Sequence, residues 1–370
     1  MHFKSLQLKE LGDYVYSEAY TQSDYIAISK QRALSQQRNP RALPEDVVLV
    51  LVYEAIELVA YLGVFVDDLH FQTGVEHVGW LSCMWVNPKM RGKGIAKKLL
   101  QTVFEAWDYK ILVTEFTPAA KGLYDRSERF IDLAKPKGWR GYLRPNLATL
   151  LPKKSPKWDK WKPLLHLADG LLSVPNTLRL WAQRSPSIEK QGYSFEYLVE
   201  LDEESWAFIQ TQQKGELIHR DRAELDWLLR NPWLLQAPLK DRNATRYHFS
   251  SVASSFYFLA VKVYNADLAV VAVVLLSYRE GSVKLPYVYC KVGVEEVLWQ
   301  LIDQHLLAMK ANTLTIFQPS LVATLAKRRH PFFRLRAFQR HYIIGAVLHE
   351  ALEATGAIRL QDGDADAAFT

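Results

Sequence analysis

Six consecutive residues, Arg91-Gly92-Lys93-Gly94-Ile95-Ala96, carry the clearest chemistry in this sequence. They follow an apolar, strand-like run at 79–86 and a break at Asn87-Pro88. They open an amphipathic run at 95–107 with apolar residues at Ile95, Leu99, Leu100, Val103, Phe104 and Trp107, the spacing of one helix face. A strand, a glycine turn and a helix N-terminus together make an anion cradle. Gly92 and Gly94 let backbone and ligand approach closely. The first N–H groups of the helix have no intrahelical partners and carry about half a positive charge. A phosphate is their natural ligand. The spacing excludes two familiar phosphate loops. A P-loop would need Gly where Asn87 stands and Ser or Thr where Gly94 stands; a dinucleotide fingerprint would need a third small residue that Gly92-Lys93-Gly94-Ile95-Ala96-Lys97 lacks.

The pattern resembles motif A of the GNAT N-acetyltransferases, Arg/Gln-x-x-Gly-x-Gly/Ala, with Arg91, Gly94 and Ala96 at its fixed positions. Trp85-Val86-Asn87-Pro88 is similar to that family's strand ending in Val-x-Pro. The resemblance implies that 91–96 binds the pyrophosphate of acetyl-CoA, the expected cosubstrate. It implies a mixed α/β sheet in which two neighbouring strands, here 79–86 and 111–117, splay apart to admit the pantetheine arm. Met84, Trp85 and Val86 would then line the cofactor, and a backbone N–H near Met84 or Trp85 would stabilise the carbonyl oxygen. Motif B of the family, Asn-x-x-Ala-x-x-Leu-Tyr, resembles Thr117, Ala120, Leu123 and Tyr124. Thr117 in place of Asn weakens one cofactor hydrogen bond, and Arg129-Phe130 stands where Gly-Phe is usual.

Acyl transfer from a thioester to an amine needs a neutral amine, a stabilised carbonyl oxygen and protonation of the departing thiolate. By resemblance Tyr124 is the general acid; a phenol of pKa about 10 can protonate a thiolate of pKa about 8.5 when held in place. Glu115, on the strand beside the acyl site, is the candidate base. Glu76 and His77 precede the cradle strand, and each of these side chains also fits a solvated surface group. Cys83 offers a nucleophile, but direct transfer is the family's route. The expected activity is an N-acyltransferase that moves acetyl from acetyl-CoA to a primary amine by direct attack. Two other readings stand beside it: a tandem-domain aminoacyl or long-chain acyl transferase, and a non-catalytic CoA-binding regulatory or scaffold module. The acceptor (a small amine, an amino sugar or a protein amine) is not legible in the sequence.

The elements that must hold these groups come in the order of one such domain, then of a second. Residues 1–150 read as the acetyl-CoA domain: a helix at 23–37, a hairpin at 47–53 and 58–65, a loop through Asp67-Asp68, then the cradle strand and helix, a strand at 111–117 and a helix at 119–131. Residues 151–190 read as a basic, Pro- and Trp-rich helical linker, expected to pack between two domains rather than lie on a membrane surface. Residues 191–370 repeat the element order, with a helix at 294–310 and a closing strand at 333–344. A shift of 201 places Phe317 and Pro319 on Phe116 and Pro118. Opposite the cradle stand Val292-Gly293-Val294-Glu295, without the Arg, so the expected architecture is a tandem GNAT fold whose second copy lacks the pyrophosphate loop.

Bulk properties agree with a globular chain of 370 residues with 49% hydrophobic and 23% charged residues. The net charge of +6 suits an anionic cosubstrate without demanding nucleic acid. Two cysteines, Cys83 and Cys290, make no disulfide framework, and the histidines show no metal-ligand spacing. The mixed Lys and Glu of 1–14 argue against a signal peptide, and Glu54 and Glu57 argue against a span at 47–66. A cytoplasmic enzyme is the expectation.

Overall fold

Alternating and continuous apolar runs set the strands. The computed structural model describes residues 1–184 and 186–369. In chain order the strands are β1 (His2–Gln7), β2 (Val47–Glu54), β3 (Glu57–Phe71), β4 (Gly74–Val86), β5 (Ile111–Thr114), β6 (Phe130–Ala134), β7 (Lys137–Tyr142), β8 (Ser194–Leu198), β9 (Leu235–Gln236), β10 (Val252–Ala253), β11 (Phe256–Tyr264), β12 (Val270–Arg279), β13 (Ser282–Cys290), β14 (Thr313–Ile316), β15 (Arg334–Gln339) and β16 (Tyr342–Gly345). β9 and β10 form a short parallel ribbon. The others form two mixed seven-stranded sheets, ordered β1-β2-β3-β4-β5-β16-β6 and β15-β7-β14-β13-β12-β11-β8. β3 is buried from Leu58 through Asp67, as its unbroken apolar run requires of a strand covered on both faces. This is the expected tandem α/β architecture.

The two halves are not consecutive beads, however. β7 leaves the first half and pairs antiparallel with β14 and β15 in the second sheet. β16 makes the reverse crossing and pairs with β5 and β6 in the first. Residues 333–344, expected as one strand, are therefore two strands in two sheets, broken at Arg340-His341. Each crossing uses only two residues, Lys135-Pro136 and Arg340-His341. So a boundary near 150 does not separate the sheets. Sequence pattern cannot reveal such an exchange, because a strand looks the same whichever sheet accepts its edge.

Local differences follow from capping and turns. The first-half helix spans only Lys30–Gln36, because Ser29 caps it by accepting from the Arg32 amide. The helix expected at 119–131 is Pro118–Ser127, capped by Thr117 and ended at Glu128, and β6 takes the remainder. The 151–190 region is also corrected. Its helix Lys162–Ala182 lies on the outside and buries only Leu165 and Leu180. The two halves are joined directly by the strand exchange instead.

Asp67 and Asp68, expected in a loop, lie in β3. Asp67 is fully buried and pairs with Arg41 at 2.7 Å and Arg220 at 2.8 Å. Arg220 also pairs with Glu224 at 2.9 Å, so this network ties the two halves. Burial works against the Asp67 charge, but Arg220 and Arg41 outweigh it and hold its carboxyl below the usual range. Removing Arg220 alone strands buried carboxylates. Arg220→Met is expected to lower unfolding free energy by about 3–5 kcal/mol, measured by urea denaturation.

His77, exposed in the sequence reading, is half-buried on β4. Its Nδ1 lies 2.8 Å from Asp68 Oδ1 and its Nε2 3.1 Å from Asp46. Hydrogen bonds to Asp46 and Asp68 outweigh burial and raise its pKa from 6.5 to about 9. A raised histidine pKa stabilises the fold fully below the unfolded value and loses that contribution as pH rises through the folded one. Stability is therefore expected to fall between pH 6.5 and about 9. Urea melts across that window should show the fall in the native protein and a flatter profile for His77→Gln.

Candidate functional site

The site begins where β4 and β5 separate. The two strands pair in parallel only at Gly79 with Ile111 and Trp80 with Leu112. Beyond those pairs they diverge, and a cleft of about 590 Å³ lies between them. Ser82, Cys83, Met84, Trp85 and Val86 form one wall. Glu115 and Phe116, just past β5, and Thr117, Ala120 and Tyr124 on the next helix form the other. Arg91 and Ala96 close one end.

A bulge shapes the β4 wall. Gly63 faces Ser82 and Tyr61 faces Trp85, so Cys83 and Met84 together oppose the single residue Leu62. Cys83 takes φ 60°, a conformation uncommon outside glycine. A bulge interrupts the ladder and re-aims its backbone groups. Gly63 makes the bend sterically feasible, because a Cβ there would lie 2.7 Å from Ser82 O. The displaced amides are those of Met84 and its neighbours, where sequence reasoning put the donor to the carbonyl oxygen.

The cradle stands at the end of this wall. Asn87 Oδ1 accepts from the Lys89 amide and turns the chain into a short 3-10 segment, Pro88–Met90. Gly94 takes φ 74° as the N-cap of the helix Ile95–Ala106, and a left-handed N-cap favours glycine. A Cβ at Gly92 or Gly94 would meet nothing within 4 Å, so the turn faces free space. The first intrahelical bond runs from the Lys98 amide to Gly94 O, leaving the amides of Ile95, Ala96 and Lys97 without a helical acceptor. The helix is held down by Ile95, Leu99, Leu100, Val103 and Phe104, each worth about 1.5–3 kcal/mol when buried. These features fit a diphosphate: exposed amides, a positive dipole end and a guanidinium at Arg91.

Not every expected residue reaches the cleft. Met84, Trp85, Val86, Arg91, Ala96, Glu115, Thr117, Ala120 and Tyr124 line it. Gly92 and Gly94 shape the turn beside it. Ile95 is buried in the core, and Lys93 turns away so that its Nζ lies 3.4 Å from Met90 Sδ. Thr117 Oγ1 accepts from the Ala120 amide at 3.2 Å, so here the residue serves its own helix.

Tyr124 is buried among Phe116 and Phe130, whose rings meet it edge-on. Burial pushes its phenol well above the ordinary value, so it keeps its proton. Glu115 is placed differently from a free base. Its carboxylate pairs with the buried Arg340 guanidinium at 2.9 Å. Burial works against the charge of Arg340, but Asp362, Tyr342 and Glu115 outweigh it.

Sequence reasoning missed the polar cluster behind the cleft wall. The buried Arg32 donates to Ser82 Oγ at 2.7 Å and to Cys83 Sγ at 2.6 Å. Ser82 donates to Asp366, and Tyr247 donates to Cys83 Sγ at 3.7 Å. Phe249 adds an edge of the cleft from the second half. None of these residues sits in a recognisable motif. Asp366 reaches the site along a segment 284 residues away from Ser82.

The corresponding place in the second sheet is filled from within. β13 and β14 pair only from Ser282 to Lys284 before separating. Gln361 then bonds both the amide and the carbonyl of Val288, and the Gly363 amide donates to Pro286 O. Glu295, at the start of the helix Glu295–Ala308, accepts from the Gly293 amide at 2.9 Å. A carboxylate thus stands at the start of this helix, where the first half has its glycine turn.

Residues 45–127 match the family model of the acetyltransferase (GNAT) domain. No curated protein matches the sequence. Among solved structures, Saccharomyces cerevisiae N-myristoyltransferase with bound myristoyl-CoA is similar at TM-score 0.51 and 11% identity, over 93% of this chain and 82% of that one. GCN5-related N-acetyltransferases from Anabaena variabilis and Kribbella flavida both give TM-score 0.49. The first is 11% identical over 92% of this chain and 72% of its own, the second 10% identical over 92% and 70%. At such identity the likeness to the yeast enzyme is one of fold. The splayed β4–β5 pair and the bulged β4 fall inside the 45–127 stretch that matches the GNAT domain model, and the chain as a whole shares the tandem mixed-sheet fold of the yeast enzyme.

Proposed function

We propose that the protein is an N-acyltransferase that moves an acetyl group from acetyl-CoA to a primary amine within the β4–β5 cleft. One observation carries this reading: a single cleft joins an anion cradle, a bulged strand with freed amides and a buried, protonated phenol. In this reading Arg91 and the amides of 94–97 hold the diphosphate, and Met84, Trp85 and Val86 line the pantetheine arm. An amide at the β4 bulge stabilises the carbonyl oxygen as charge develops. The amine nitrogen attacks the carbonyl carbon, the C–N bond forms and the C–S bond breaks. Tyr124 gives its proton to the leaving sulfur and recovers one from solvent. Glu115 is committed to Arg340, so its part is to position the cleft wall. The proton lost by the amine has a route through Ser82, which lines the cleft and is hydrogen-bonded to Asp366.

Arg91→Glu places a carboxylate at the diphosphate and is expected to weaken acetyl-CoA binding by at least about tenfold, read by calorimetry. Unchanged affinity would remove the cradle from the reading. Tyr124→Phe is expected to leave affinity intact and slow thiol release with an amine panel by about 10²-fold; full activity in that variant would exclude the phenol as acid. Tight binding without turnover on any amine would favour a CoA-responsive regulatory module instead. Comparing acetyl-CoA with longer acyl-CoA thioesters in the same assay decides the acyl length.

A further inference from the structure

The helix Lys162–Ala182 presents an apolar stripe that no other described part of the chain covers. Leu164, Leu167, Leu171, Val174, Leu178 and Trp181 recur every three or four residues and fall on an arc of about 100°. Each is 55 to 70% exposed. Trp158 and Trp161, in the 3-10 turn before the helix, are exposed at its entrance. Isolated exposed apolar residues are ordinary, but a continuous stripe of this kind marks a contact surface. No helix here is long and apolar enough to cross a membrane among the described residues, so this one could only lie against its partner.

The charges around the stripe identify that partner. Lys154, Lys157, Lys160 and Lys162 are exposed at its N-terminal end, where Asp159 is the one acid and pairs with Lys162 at 2.8 Å. The exposed face of the helix carries no acid. Asp169, on the inner side, is occupied in accepting from the Leu147 and Ala148 amides. At the other end, Leu178, Leu180, Trp181 and Leu307 line a groove of about 450 Å³, with Arg144 and Arg184 at its edge. Arg144 donates to Ala311 O, and its neighbour Arg179 donates to Leu143 O and Pro331 O. Neither guanidinium pairs with a carboxylate among the described residues. Cations at both ends, tryptophans at the polar boundary and leucines between them suit an interface of anionic headgroups over acyl chains.

We propose that the helix Lys162–Ala182 and its flanking turn dock the protein on an anionic phospholipid surface, stripe inward, with a headgroup held at the Arg144–Arg184 groove. The full chain should sediment with vesicles of phosphatidylcholine and phosphatidylserine, far less with phosphatidylcholine alone, and less in high salt. Leu167→Glu, Leu171→Glu and Leu178→Glu together should cut anionic-vesicle binding at least about tenfold while leaving acetyl-CoA affinity unchanged. Tryptophan emission of the native chain should shift to the blue on adding anionic vesicles, a readout that needs no variant. Absence of both sedimentation and the emission shift overturns the proposal. So does a stable dimer that ignores vesicles and is dissolved by the triple variant, since the stripe would then be a seam between two copies.

Discussion

Two dipeptide crossings, Lys135-Pro136 and Arg340-His341, constrain everything else in this structure. Each passes one strand from its own half into the middle of the other sheet, where both edges of the guest are hydrogen-bonded. Neither sheet can be completed by its own half, so the halves fold as one body. The buried carboxylates and guanidiniums of Asp67, Arg41, Arg220 and Glu224 lie across the same junction. Such a network contributes little net stability over apolar packing, but it penalises any arrangement that leaves one member unpaired.

The two copies of one architecture also differ at their separated strand pair. In both sheets a parallel pair separates after two or three residues and leaves a free strand edge. Buried backbone groups on such an edge need partners. In the second sheet the segment 361–364 supplies them, and Glu295 occupies the helix N-terminus. In the first sheet the edge stays free, and the glycines at 92 and 94 keep the turn beside it clear. The same closing segment continues past Gly363 to set Asp366 against Ser82. One stretch of chain thus seals the second cleft and furnishes the first.

Chemically the cleft combines opposite environments at short range. Tyr124 lies in an aromatic pocket where burial keeps its proton on. A few residues away, Glu115 pairs with Arg340 at 2.9 Å, and the Arg32 charge is favoured by Cys83, Tyr247 and Asp366 against the cost of its own burial. The phenol comes from the helix following β5, whereas Arg340, Tyr247 and Asp366 are delivered by the second half and the closing segment.

Local chemistry was legible in the sequence. The Arg91–Ala96 turn, the apolar face of the following helix and the β2–β3 hairpin follow from glycine conformation, helix periodicity and strand alternation, all short-range effects. The repeat of the element order was legible for the same reason. The path between sheets was not, because β7 and β16 satisfy the same hydrogen-bonding pattern in either sheet. Nor were the contacts of Glu115 with Arg340 and of Ser82 with Asp366, each spanning more than 200 residues of chain. The outer position of the helix Lys162–Ala182 was decided likewise, since an amphipathic pattern states that a face is apolar without stating what covers it. Sequence determined which groups could act; only tertiary packing decided which of them meet, because burial and charge pairing depend on neighbours in space rather than along the chain.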